Sequence, residues 1–150
     1  MKKYIGTKII EAGPAIRKGG KVYEKDQPIP KSMDPVEEGY KVRYADGYES
    51  FSPKDVFEAA YRETDCLSFG LAIEAAKKGK RIARRGWNGK NQYVELAEHI
   101  SYENAAHEVV NANHEAIGNK ALAFVGTSGV QLGWLASQAD MLADDWMIVE

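Results

Sequence analysis

The dipeptide Asn88-Gly89 limits what this chain can fold into more tightly than any other local feature. Glycine accepts the positive φ that a tight hairpin turn demands, and residues 81–87 and 92–97 on either side read as strands. The pattern predicts two strands pairing antiparallel across Asn88-Gly89-Lys90. Two more turn signals repeat the theme. Ala45-Asp46-Gly47 separates Tyr40-Lys41-Val42-Arg43-Tyr44 from Tyr48-Glu49-Ser50-Phe51, and Gly126-Thr127-Ser128-Gly129 separates residues 121–125 from 130–134. Short segments joined by tight turns imply antiparallel sheets.

The remaining elements follow from caps and periodicity. Residues 4–10 mix β-branched and aromatic side chains and read as a strand that Gly13-Pro14 should end. Residues 17–38, with Gly19-Gly20, Pro28, Pro30 and Pro35 among many charges, read as a loop. Ser52-Pro53-Lys54-Asp55 predicts a helix with Ser52 as N-cap, running to Arg62 and placing Val56, Phe57, Ala60 and Tyr61 on one face. A second helix should follow Ser68, where Phe69, Ala72, Ile73 and Ala76 keep helical spacing and Gly79 supplies the stop. Residues 101–117 have helical composition and close at Gly118-Asn119, 137–144 read as a short helical turn, and 146–149 as a final strand. The fold class is therefore α+β, in two small modules. Residues 1–64 form a β-hairpin and strand plus helix unit, and residues 65–150 form a helix packed on an antiparallel sheet.

Composition narrows the function. The chain has 150 residues, of which 44% are hydrophobic, enough for a modest core. Its net charge of −2 demands neither a nucleic acid nor a membrane. Residues 65–150 hold eight bases against eleven acids. Cys66 stands alone, and no stretch approaches the roughly twenty apolar residues of a membrane span. A soluble, cytosolic protein is expected.

Two clusters carry chemistry. Lys77-Lys78-Gly79-Lys80-Arg81-Ile82-Ala83-Arg84-Arg85 places six bases in nine residues, just before Gly86-Trp87-Asn88-Gly89. Arginines there could hold phosphate oxygens while Trp87 offers a face to a base. The same residues also suit a solvated helix end and strand edge. The second cluster lies between Trp134 and Trp146, where Ser137 reads as a helix N-cap. Either Trp134 lines a base pocket with Ser137, Gln138 and Asp140 bonding ribose hydroxyls or a base edge, or Trp134, Leu142 and Trp146 are core and Asp140, Asp144 and Asp145 are solvated. Catalytic patterns are missing from the sequence. His99, His107 and His114 lack ligand spacing, Cys66 has no adjacent base, and no phosphate loop or nucleophile elbow occurs. No catalytic residue, metal or cofactor is expected.

Phe69-Gly70-Leu71-Ala72, Lys77-Lys78-Gly79-Lys80, Ala83-Arg84-Arg85-Gly86-Trp87-Asn88-Gly89 and Trp134-Leu135-Ala136-Ser137-Gln138-Ala139-Asp140 continuing to Asp144-Asp145-Trp146 resemble the type-two Thoeris anti-defence proteins of phages, over residues 68–150. The resemblance implies a sponge that binds cyclic ADP-ribose isomers, such as glycocyclic ADP-ribose, without degrading them. Some relatives also take cyclic dinucleotides. It further implies a homo-oligomer, usually a tetramer with pockets at subunit interfaces, acting in the host bacterial cytoplasm. On that footing Phe69, Trp87 and Trp134 wall the pocket and stack on bases, Asn88, Ser137, Gln138 and Asp140 give polar recognition, and Arg84 or Arg85 meets phosphate. Residues 3–10, 39–48 and 52–57 resemble a short accessory domain of phage and prophage proteins, which brings no activity with it. Two other readings stand beside the sponge: a nucleic-acid-binding phage protein using residues 77–85, which the acidic balance of the second half disfavours, and an enzyme that hydrolyses the nucleotide.

Overall fold

Gly19 and Gly20, with φ of 59° and 78°, turn strand β1 (Glu11–Lys18) back into β2 (Lys21–Glu24). Only residues tolerant of positive φ make so tight a hairpin. The computed structural model describes residues 1–87 and 91–150, and the chain divides into two compact units, Met1–Arg62 and Glu63–Glu150. The architecture is mixed α+β with several antiparallel sheets.

Unit 1 is a four-stranded antiparallel sheet in the order β2-β1-β3-β4, where β3 is Val36–Arg43 and β4 is Glu49–Pro53. The hairpin across Asp46-Gly47 is present, with Gly47 at φ 87°. Several expectations fail here. Residues 1–10 lie outside any strand, while β1 runs through Gly13-Pro14. Strand β2 pairs with β1 only from Ala15 onward, so β1 is locally an edge at Pro14, where a missing N–H is tolerated. The predicted loop over 17–38 instead holds the β1–β2 hairpin and the start of β3. Ser52 is no N-cap, because it pairs with Tyr40 inside β4. Pro53 takes the cap position without a side-chain bond, and helix α1 spans only Lys54–Ala60. Of its predicted inner face, Phe57 stacks on Tyr40 at 4.1 Å and on Tyr61 at 4.9 Å, whereas Val56 stays exposed. Val42 is buried on the same face of β3 as Tyr40. The opposite face is an ionic ladder in which Lys41 reaches Glu24 at 2.7 Å and Glu49 at 3.1 Å.

Unit 2 begins with helix α2 (Phe69–Lys77), capped by Ser68, whose hydroxyl accepts from the Leu71 N–H at 3.3 Å. Gly79 closes it at φ 87°. Ala72, Ala75 and Ala76 bury this helix against Ile82, Val94, Leu67 and Trp146. Small side chains let the helix sit close to the sheet, so the core is thin and depends on Trp146 for bulk. Strands β5 (Arg81–Arg84) and β6 (Tyr93–Ala97) pair antiparallel through Ile82 and Val94, although the turn Asn88-Gly89-Lys90 lies outside the described residues.

The helix predicted over 101–117 is instead a two-stranded ribbon of β7 (Tyr102–Glu103) and β8 (Val109–Val110). His107, Asn111 and His114 have φ of 63°, 59° and 56°, left-handed values that no helix accommodates. Asparagine side chains replace the helical bonds. Asn104 Oδ1 accepts from the N–H groups of Ala106 and Glu108, each at 3.0 Å, and Asn111 bonds Ile100 and Ala116. Strands β9 (Ala121–Gly126) and β10 (Gly129–Leu132) form the expected hairpin. Helix α3 (Gln138–Met141) precedes β11 (Trp146–Val149), which pairs with β5. The sheet order is β10-β9-β6-β5-β11. Along the outer side of β11, Leu67 exchanges backbone bonds with Trp146 at 2.7 and 3.1 Å, and Thr64 accepts from Ile148 at 2.8 Å. No helix among the described residues is long and apolar enough to cross a membrane.

Candidate functional site

Trp146 enters the sheet as the first residue of β11 and is fully buried. Three rings close around it. Phe69, the first residue of α2, lies 5.4 Å away, Trp87, just beyond β5, also 5.4 Å, and Trp134, just beyond β10, 6.1 Å. Trp87 and Trp134 meet edge to face at 6.0 Å, and Phe124 of β9 stacks on Trp134 at 6.5 Å and tilts against Trp87 at 5.4 Å. Backbone geometry aims Trp134 inward, since Gly133 at φ 87° lets Gly133 and Trp134 both donate to the Leu122 carbonyl at 2.9 Å. Phe69, Trp87, Phe124 and Trp134 remain only partly buried, so aromatic surface stays open to solvent above a solid floor.

Beside the rings stands a charged group. Arg84 Nε donates to Asp145 Oδ1 at 2.9 Å and Nη1 to Asp140 Oδ1 at 3.0 Å, with side-chain exposure of 24% for Arg84 and 16% for Asp140. These two carboxylates, Asp145 foremost, raise the Arg84 guanidinium further above its ordinary value. Asp140 also completes a capping box: its Oδ2 accepts from the Ser137 N–H, and its own N–H donates to Ser137 Oγ, each at 3.1 Å. Burial opposes the Asp140 charge, but the Ser137 amide, the Arg84 guanidinium and the Ser137 hydroxyl outweigh it and hold the carboxyl below its usual value. The Trp146 indole N–H donates to the Asp140 carbonyl at 2.8 Å and so ties this group to the aromatic floor.

The expected residues thus fall into two adjoining sets. Phe69, Trp87 and Trp134 share the ring cluster, and Arg84, Ser137 and Asp140 share the ionic group. Gln138 is exposed on α3, and Asn88 lies outside the described residues. Arg84, expected to meet phosphate, is engaged by two carboxylates. The rest of the basic run is dispersed: Lys77 lies 3.5 Å from Glu74, Arg81 sits over the Tyr93 ring at 4.5 Å, and Arg85 pairs with Asp65. Sequence reasoning missed Phe124, one apolar residue of a wholly apolar strand, and gave Asp145 no role beyond that of a solvated acid in one of its two readings. The pairing of Arg84 with Trp146 across β5 and β11 brings Asp145 within reach. Among the described residues no group of three or more His, Cys, Asp or Glu side chains is placed to hold a metal ion.

The residues of the ring cluster and of the ionic group lie within 67–149, the segment that matches the model of the Thoeris anti-defense 2-like domain, Tad2-like. The chain is also 35% identical over 86 residues to Thoeris anti-defense 2 of Bacillus phage SP01, an alignment covering 55% of this chain and 94% of that protein. Residues 1–66 lie outside the family match. The match takes in more than half of the chain together with both sets of site residues, and the chain belongs to the Thoeris anti-defense 2-like family, an anti-defence family rather than an enzyme family.

Proposed function

We propose that unit 2 binds a cyclic ADP-ribose isomer, glycocyclic ADP-ribose being the first candidate, and sequesters it unchanged, silencing a bacterial immune signal in the host cytoplasm. The observation that carries this reading is the partly open aromatic cluster of Trp87, Phe124 and Trp134, joined to the Arg84–Asp140 pair through Trp146. Aromatic faces receive a purine, and carboxylates and hydroxyls receive ribose. Ser137 Oγ accepts from a backbone amide and keeps its own O–H as a donor, while each Asp140 oxygen retains a second lone pair for a ribose hydroxyl. Arg84 orients Asp140 and tempers its charge, so that the site tolerates a pyrophosphate nearby. Asn88 and Gln138 complete the polar set, and Phe69 backs the wall. The protein works as a homo-oligomer, a tetramer by family analogy, in which a neighbouring copy helps to enclose the ligand. Cyclic dinucleotides are a second ligand class of the same site or its neighbour. Residues 1–64 act as an accessory domain of phage type.

One experiment separates binding from chemistry. The full chain is titrated with the cyclic nucleotide in a calorimeter, the complex is heat-denatured, and the supernatant is chromatographed. Stoichiometric heat and intact ligand are expected. No binding by any cyclic ADP-ribose isomer or cyclic dinucleotide ends the sponge reading, and a new product peak replaces it with hydrolysis.

A further inference from the structure

The two edges of the unit 2 sheet are treated differently. The β11 edge is covered by the chain itself, through the bonds of Leu67 and Thr64 to Trp146 and Ile148. Strand β10 ends the other side of the sheet, and all four of its residues are exposed, Val130 at 68% and Leu132 at 45%. Soluble proteins protect such an edge with a lysine, a proline, an inward charge or a covering segment, because its unpaired N–H and C=O groups template another strand. Here residues 121–139 contain no Asp, Glu, Lys, Arg or Pro, in a chain that is 28% charged. Val130 and Leu132 lie on one face of the sheet with Ala123 and Val125 opposite them on β9, and the nearby Leu135 is 89% exposed.

We infer that β10 is the seam between two copies of this chain, paired antiparallel across a two-fold axis so that two five-stranded sheets become one continuous sheet. The occupant is a second copy because the strand is self-complementary. Two uncharged strands bring no like charges together, they satisfy each other's outward backbone groups, and Val130 and Leu132 of each cover the same side chains of the other. A strongly acidic or basic partner would find no counter-charge on this edge. The inference deepens the proposed homo-oligomer by giving it a surface, one that runs from β10 directly into Trp134 of the candidate site.

The test uses charge at Val130 in the full chain. Val130 is exposed in the single chain, so Val130→Lys and Val130→Glu should keep the native near-ultraviolet spectrum and a cooperative melting transition. Each variant alone should halve the assembly mass seen by sedimentation and weaken self-association at least tenfold, whereas an equimolar mixture of the two should restore the assembly. Unchanged mass in both variants overturns the seam, and so does a loss that mixing fails to restore. Hydrogen exchange supplies a second measurement independent of substitution. Outward amides of residues 129–132 should be protected at high protein concentration and exchange freely on dilution, and concentration-independent exchange at those amides also overturns it. Neither readout involves the nucleotide, so failure of the seam and failure of sequestration are separately visible.

Discussion

The guanidinium of Arg84 donates to the carboxylate of Asp140 at 3.0 Å, joining residues 56 positions apart in the chain. That bond fastens the end of β5 to helix α3, and the second bond to Asp145 fastens it to the approach of β11. Replacing Arg84 by alanine leaves two acids facing each other at the rim of the aromatic cluster. The expected cost is about 1–2 kcal/mol, smaller than for a fully buried pair because water reaches all three groups. Arg84→Lys should recover only part of it, since an ammonium cannot span both acids with a fixed fork. Urea denaturation of the three proteins checks the order.

Asp140 gives the same group a pH dependence. Its folded-state pKa lies below the ordinary carboxylate value, so its contribution to stability is present above the unfolded-state value of about 3.9 and drains away as pH falls through the lower folded-state value. Asp140→Asn should therefore be less stable than the parent at pH 7, and the gap should close as the pH is lowered toward 3. Melting curves across that range decide it. A gap that widens on acidification contradicts the assignment.

Trp87 separates recognition from stability. Trp87→Ala should weaken nucleotide binding by about 1–3 kcal/mol, the scale of one lost base stack. The substitution also strips a ring from Trp146, so affinity has to be measured well below the melting transition. Trp87→Phe keeps an aromatic face and should restore most of the loss in calorimetry.

Asn111 holds the ribbon. At φ 59° it accepts from the Ala116 N–H and donates to the carbonyls of Ile100 and Ala116, at 3.1, 2.9 and 3.1 Å. Asn111→Gly keeps the backbone angle but loses the bonds, and Asn111→Ala loses both. Exchange of the amides in 100–116 should accelerate in the order Asn, Gly, Ala, while protection of α2 and β6 stays unchanged.

Gly39 tests unit 1. A Cβ there would collide with the Ser52 carbonyl oxygen and stand 2.6 Å from Phe51 Cζ, so β3 and β4 could not keep their present pairing. Gly39→Ala should destabilise unit 1 by about 1–3 kcal/mol, the range for overpacking. Scanning calorimetry should register the loss, and nucleotide affinity should not change, since every proposed contact lies in unit 2.

What could be read from the sequence was what neighbouring residues decide among themselves. Asp46-Gly47, Ser68 and the Ser137 cap each work within four residues, and each appears where its local chemistry puts it. Failures came where distant partners decide. Pro14 is tolerated in β1 because β2 stops one residue short of it, which nothing around Pro14 announces. Residues 101–117 lack a helix because Asn104 and Asn111 offer their own bonds to the backbone, and a count of helical residue types cannot see that competition. In the candidate site, the three tryptophans were visible as residues, but the engagement of Arg84 by Asp140 and Asp145 depends on the register of β5 against β11.

The exchange of backbone bonds between Leu67 and Trp146 has one more consequence. It brings the entrance and the exit of the family domain side by side, so the domain closes on itself like a clasped ring. A ring of that kind can be set behind another module, or lifted out of one protein and placed in another, without disturbing the aromatic floor inside it. The same clasp sets the shortest portable piece: a copy cut after Leu67 would lose the strap that shields β11 and would carry two open edges instead of one.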